Sequence, residues 1–139
     1  MSKLEQAQMY CEFLQDHGYQ PEIDEDGDVI FRQGGRIYLI LIDDQDEEFF
    51  RLVFPNFWSI DSEEERHRVE RAALYATAKT KVAKVFPVRD NVWATIEMFV
   101  SPIEGFKEVF DRAMRALHVA VHSFAEKMRE ESESPFLEP

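Results

Sequence analysis

Cysteine is almost missing from this chain. Cys11 is the only one in 139 residues, so no disulfide can close within it. Glycine is scarce at five residues, and none forms the Gly-rich loop that cradles phosphate. The G-x-S-x-G elbow of a serine hydrolase, the HEXXH zinc helix and any Cys–His arrangement are also missing. No apolar run approaches the roughly 20 residues that span a bilayer, which argues against a membrane protein. The opening MSKLEQAQMY has no apolar core of a secretory signal, so a cytoplasmic protein is expected. Basic residues are few: 16 Lys and Arg face 28 Asp and Glu, a formal net charge of −12. Such a surface repels phosphate backbones and anionic lipid, which excludes nucleic acid as a favoured partner. No catalytic residue, metal ligand or cofactor motif stands out, and the expectation is a protein that is not an enzyme.

What the chain does have is bulk. Hydrophobic residues make up 45%, and twelve are Phe, enough for a real core in one domain. Residues 1–130 read as that domain, and 131–139, ESESPFLEP, as a disordered tail by composition. Its organising stretch is 28–54, three apolar runs separated by two turn signals, which predicts an antiparallel meander. Asp26-Gly27 and Gly34-Gly35 are the tight turns that bound its first strand, 28–33. The strand at 36–42, RIYLILI, is apolar on both faces and so predicts a central position with cover on each side. Pro55 is expected to end the following strand, leaving Phe57 and Trp58 in a connection that packs on the domain or contacts a partner. Residues 20–24 could add an edge strand, where Pro21 is tolerated.

Three helices frame this sheet. The first, 2–17, shows Leu4, Ala7, Cys11 and Leu14 at helical spacing with Tyr10 beside them, and Cys11 is expected in the core. The second starts at a capping box, Ser62 with Glu65. It carries a small-residue face of Val69, Ala72, Ala73, Ala76 and Thr80. The opposite half carries Leu74, Tyr75 and Ala78, so the helix is apolar on two sides, and the pattern does not say which side faces its own sheet. A hairpin, 82–88 and 91–100, follows. A second capping box at Ser101 and Glu104 opens the long last helix, whose stripe runs Ile103, Phe106, Phe110, Met114, Leu117, Val121, Phe124 and Met128.

Two patterns invite metal chemistry. Asp24, Asp26 and Asp28 alternate as in a calcium loop, but the sixth position is Val29 and the twelfth is Gly35, where Gly and Glu are needed. A solvated turn is expected. His118 and His122 are spaced as zinc ligands can be, yet no third ligand is evident, and boundary histidines on a surface helix are expected.

The predicted order is helix, three strands, helix, two strands, helix: an α+β domain on an antiparallel sheet of five strands, six with 20–24. The run Asp24-Glu25-Asp26-Gly27-Asp28-Val29-Ile30-Phe31, the Gly34-Gly35 turn into Tyr38-Leu39-Ile40, and the Trp93–Phe99 strand feeding the long helix carry a likeness. In these features the chain resembles the YbjN-like family of bacterial domains, described as sensory transduction regulators, which share the fold of type III secretion chaperones. The resemblance implies a dimeric domain that binds polypeptide partners, and it supplies no catalytic residue. The expectation is therefore a non-catalytic, chaperone-like or regulatory protein-binding module. It would act through Phe57, Trp58, Val69, Ala73, Leu74 and Tyr75, as a homodimer joined at the second helix and the hairpin. Two other readings are a permanent structural partner in a larger complex, and a small-molecule sensor or enzyme. The latter needs a pocket between sheet and long helix, with Arg51, Thr95 and Glu97 as its polar candidates.

Overall fold

A computed structural model describes residues 1–133. Helix α1 (Lys3–Asp16) begins at Ser2, whose hydroxyl accepts from Glu5 N–H at 3.1 Å while the Glu5 carboxylate accepts from Ser2 N–H at 2.8 Å. These two bonds satisfy donors a helix start leaves open. Six strands follow in one antiparallel sheet: β1 (Glu22–Ile23), β2 (Val29–Gln33), β3 (Arg36–Ile40), β4 (Phe49–Ser59), β5 (Ala83–Val88) and β6 (Asn91–Phe99). Their spatial order is β1-β2-β3-β4-β6-β5. Helix α2 (Glu63–Lys79) lies between β4 and β5 in the chain, and a short 3-10 helix (Ile103–Gly105) leads into α3 (Phe106–Glu133). The α+β class and the sheet with its two-residue edge strand match the reading of the sequence. Gly34 and Gly35 both sit at positive φ, which is why the β2–β3 turn needs them. No helix among the described residues is long and apolar enough to cross a membrane.

Register divides the sheet side chains into two faces. On one, Phe31, Tyr38, Ile40, Phe50, Leu52, Ala94, Ile96 and Val85 are buried with α1 and α3. Rings fill the space between. Tyr10 and Phe13 meet Phe106 edge-on at 4.8 and 5.0 Å, and Phe31 packs on Phe110. The predicted stripe of α3 is the buried one, with Ala113 and Ala120 filling gaps and Val121 at its margin.

Several local expectations are corrected. Pro55 does not end β4. The strand continues to Ser59 through an irregularity between Phe54 and Trp58, with Asn56 at φ 51, and a bulge is where a residue without an N–H does least harm. The inward face of α1 is Gln6, Ala7, Tyr10, Phe13 and Leu14, whereas Leu4 is 56% exposed. Cys11 is only half-buried, at the core's rim, because large rings at positions 10 and 13 turn the helix toward themselves. At α2, Ser62 accepts from Glu65 N–H, but the Glu65 carboxylate reaches Asp61 N–H and Trp58 Nε1 instead of closing the box. Ser101 does not cap α3. Its hydroxyl donates to Glu48 at 2.9 Å, and the 3-10 helix intervenes. Finally, α3 continues through Glu133, three residues into the expected tail, and 134–139 lie outside the described residues.

Candidate protein-binding surface

The second face of the sheet is the unexpected surface. Following the register from strand to strand, Ile30 lies beside Leu39, Leu39 beside Val53, and Val53 beside Thr95 and then Lys84. The next rows place Arg32 beside Ile37, Arg51 beside Glu97, Phe49 beside Phe99, and Trp93 beside Phe86. The three helices pack against the other face or, in the case of α2, along the β5 edge. Val53 is fully buried yet stands outside the main core cluster, as a residue of this opposite face should. Around it, Ile30, Leu39, Leu41, Phe49, Phe86 and Trp93 are half-buried, Ile37 is exposed, and Phe99 is 80% exposed. Two-sided apolarity in 36–42 predicted cover on both faces. The structure supplies cover on one.

At the middle of this face is an ion cluster. The Glu97 carboxylate accepts from Lys84 Nζ at 2.9 Å and from the Thr95 hydroxyl at 2.9 Å, and Arg51 Nε is 3.4 Å away without hydrogen-bond alignment. Burial pushes the Glu97 carboxyl up, but the Lys84 and Thr95 hydrogen bonds and the Arg51 charge outweigh it, and the group titrates below the ordinary carboxylate value. Arg51, Thr95 and Glu97 do converge, then, but on the open face and not in a pocket under α3. The space under α3 is taken by Phe31, Phe50, Phe106 and Phe110, all fully buried.

Helix α2 forms one margin of this surface. Thr77 Oγ1 accepts from Val85 N–H at 2.8 Å, and its hydroxyl donates to the Val85 carbonyl at 3.3 Å. A side chain thereby takes up the N–H and carbonyl of Val85, in the middle of the edge that β5 would otherwise offer to a foreign strand. Between the helix and the strand is a cleft of about 650 Å³, lined by Ala73, Leu74, Thr77, Phe86 and Pro87 and floored by the ion cluster.

The six sequence-derived candidates separate. Val69 and Ala73 are buried against the domain's own core, so the small-residue side of α2 faces home and cannot meet a second copy. Ala73 reaches the surface only at the base of the cleft. Leu74, 71% exposed, is its free outer wall. Tyr75 is engaged by Lys79, whose Nζ is 2.9 Å from its hydroxyl, and by Lys127 over its ring. Phe57 and Trp58 are strand residues packed edge-on against Phe124 at 5.5 and 5.4 Å, with Phe57 also stacked on Phe54. They belong to the fold. The residues that composition missed are Phe49, Trp93 and Phe99, and period-two alternation within 49–54 and 91–99 was the available signal.

The metal patterns also resolve geometrically. The Asp24, Asp26 and Asp28 carboxylates come within 4.8 Å of one another. Asp24 already accepts from the N–H groups of Asp26 and Asp28, and Asp28 accepts from Ile42 N–H with Lys3 Nζ 3.6 Å away, so two of the three oxygens' owners hold the turn together. His118 Nε2 is bonded to the Tyr38 hydroxyl at 2.8 Å, while His122 is exposed beside Glu126. The two histidines serve different neighbours. Burial and the Arg36 charge hold the His118 imidazole below its ordinary value.

No protein-family model matches the chain, and no curated protein matches it.

Proposed function

We propose that this is a non-catalytic protein-binding module, chaperone-like or regulatory, whose docking surface is the open sheet face with the Leu74 cleft at its margin. The observation that carries it is the uncovered apolar face itself. Phe99 and Ile37 are exposed at opposite ends of the face, with half-buried Phe49, Leu41, Leu39 and Ile30 between them, and an apolar field of this kind marks an interaction surface, whereas singly exposed apolar residues are ordinary. The residues of that face also suit a polypeptide: aromatic anchors, aliphatic filler and a few fixed charges. The resemblance to YbjN-like domains, with the secretion-chaperone fold and its polypeptide partners, supports the same reading.

A photo-crosslinking residue at position 99, compared with one at position 119, tests it. Val119 is 54% exposed on α3, on the helical side of the molecule, and serves as the control. In the native cell, position 99 should capture defined polypeptides that position 119 does not. Equal, sparse labelling at both positions would refute the reading.

A further inference from the structure

The two ends of the open face differ in charge. At one end the Phe49 and Phe99 rings lie 5.9 Å apart, tilted by 52°, and Phe99 is 80% exposed. The loop 43–48 runs along this end. Val100 N–H donates to the Glu48 carbonyl at 2.8 Å and the Ser101 hydroxyl donates to the Glu48 carboxylate at 2.9 Å, which pins the loop beside Phe99. Five of its six residues are acidic: Asp43, Asp44, Asp46, Glu47 and Glu48. Asp43 and Asp46 accept from N–H groups of the loop itself, and Glu47 holds the Met1 ammonium. Asp44 is exposed and has no partner among the described residues. The cations nearby are fewer: Met1, Lys81 in the link before β5, and the one positive charge left over where Arg51 and Lys84 meet Glu97. This end is net negative. At the opposite end Arg32 stands beside Ile37.

The sheet edges restrict how a polypeptide can dock. Strand β1 is two residues long, and Thr77 occupies the Val85 backbone in the middle of β5, so neither edge offers a long row of free N–H and carbonyl groups. The face is an apolar layer without a second layer, and a helix is one of the two elements that cover such a layer. An amphipathic helix lays an apolar stripe on the sheet and turns its polar side to water. Cations on it are drawn to the Phe99 end twice over, by the open aromatic ring and by the carboxylates of the loop.

Resting on the protein-binding reading, we infer that the open face takes a basic amphipathic helix of a polypeptide partner. Its apolar stripe covers Leu39, Leu41 and Phe49, and its Lys or Arg side chains sit between the Phe99 ring and the acidic loop. The negative Phe99 end and the positive Arg32 end orient the helix on the sheet.

Two fluorescein-labelled synthetic helices of about 18 residues test this, each with one leucine stripe and a polar side of lysine or of glutamate. Fluorescence anisotropy with the purified chain should show the leucine–lysine helix binding at least about 10-fold tighter than the leucine–glutamate helix. Variants are compared at about 0.15 M salt, where a Debye length of about 8 Å confines the effect to nearby charges. There Phe99→Ser should weaken the leucine–lysine helix by about 10-fold and Asp44→Lys by about 5-fold. Val119→Ser and Asp16→Lys, matched changes at exposed positions of α3 and α1, should stay within about 2-fold of the wild type. Equal losses from the matched changes would mean diffuse attraction to an acidic chain and overturn the inference. Equal binding of both helices through Phe99 would overturn the charge assignment and leave the protein-binding reading standing. If a crosslinker at position 99 couples the purified chain to a second copy in preference to the leucine–lysine helix, the face serves self-association and the inference is refuted. If neither helix binds, the inference fails, and capture at position 99 in the cell decides the protein-binding reading separately.

Discussion

Phe110 shows how much of this fold rests on single rings. It is fully buried and touches Phe13, Tyr19 and Phe31, three rings from α1, the following turn and β2. Phe110→Ala should cost about 3–5 kcal/mol, since neighbouring rings cannot collapse into the void. His122→Ala, at an exposed position, should stay within about 0.5 kcal/mol. Urea titrations of the two variants give the comparison directly. His118 sets a pH dependence. Its folded value lies below the ordinary 6.5, so the unfolded chain takes up the proton first as pH falls. The neutral ring's contribution is present above that ordinary value and is lost as pH falls through the lower folded one. His118→Gln, which keeps a partner for the Tyr38 hydroxyl, should flatten the wild-type decline in urea midpoint between about pH 7 and about pH 5.

Helix α2 illustrates how an element with two apolar sides chooses between them. Ala72, Ala73 and Ala76 let its backbone approach α3 and β5 closely, and Thr77 then reaches the β5 backbone. Leu74 would hold the helix off, so it points outward. Ala73→Glu should therefore destabilise by about 1–3 kcal/mol, because a longer side chain is forced into a closely packed helix–strand contact, whereas Leu74→Glu should change stability by about 0.5 kcal/mol or less. Thermal unfolding of the two single variants distinguishes the assignments. The link from α2 to β5 adds a backbone feature. Val82 is β-branched and sits at φ 65, a conformation that costs an L-residue about 1–2 kcal/mol. Val82→Gly relieves it at a chain-entropy cost of about 0.5–1 kcal/mol. A net gain of up to about 1 kcal/mol should follow, read as a higher urea midpoint.

Charge and the one-sided sheet act on the molecule as a whole. Repulsion within a −12 chain opposes compaction, and salt screens it. The melting temperature should rise as sodium chloride goes from about 0.01 M to about 1 M, and a fall would mean that ion pairs such as Lys84–Glu97 outweigh the repulsion. All three helices lie on the first face or at the β5 edge, so nothing in the described chain balances the apolar rows of the second. Residues that carry the proposed binding are consequently strand residues of a rigid scaffold, not loop residues.

Local periodicity made much of this legible. Alternation in 36–42 and 91–99, the Gly34-Gly35 turn and the α3 stripe depend only on neighbours a few residues apart, and they predicted the meander, the hairpin and the buried face of the long helix. The same alternation exposed strand 36–42 as apolar on both sides. It could not say that Tyr38 and Ile40 would be covered while Ile37 and Leu39 would not, since cover comes from distant helices that have room for only one face. Nor could it tell that Pro55 would sit in a bulge, that Phe57 and Trp58 would close on Phe124, or that Arg51, Lys84 and Glu97 would meet. Those outcomes follow from register between β4, β6 and β5, and register is a property of strands paired in space, where chain separation counts for nothing.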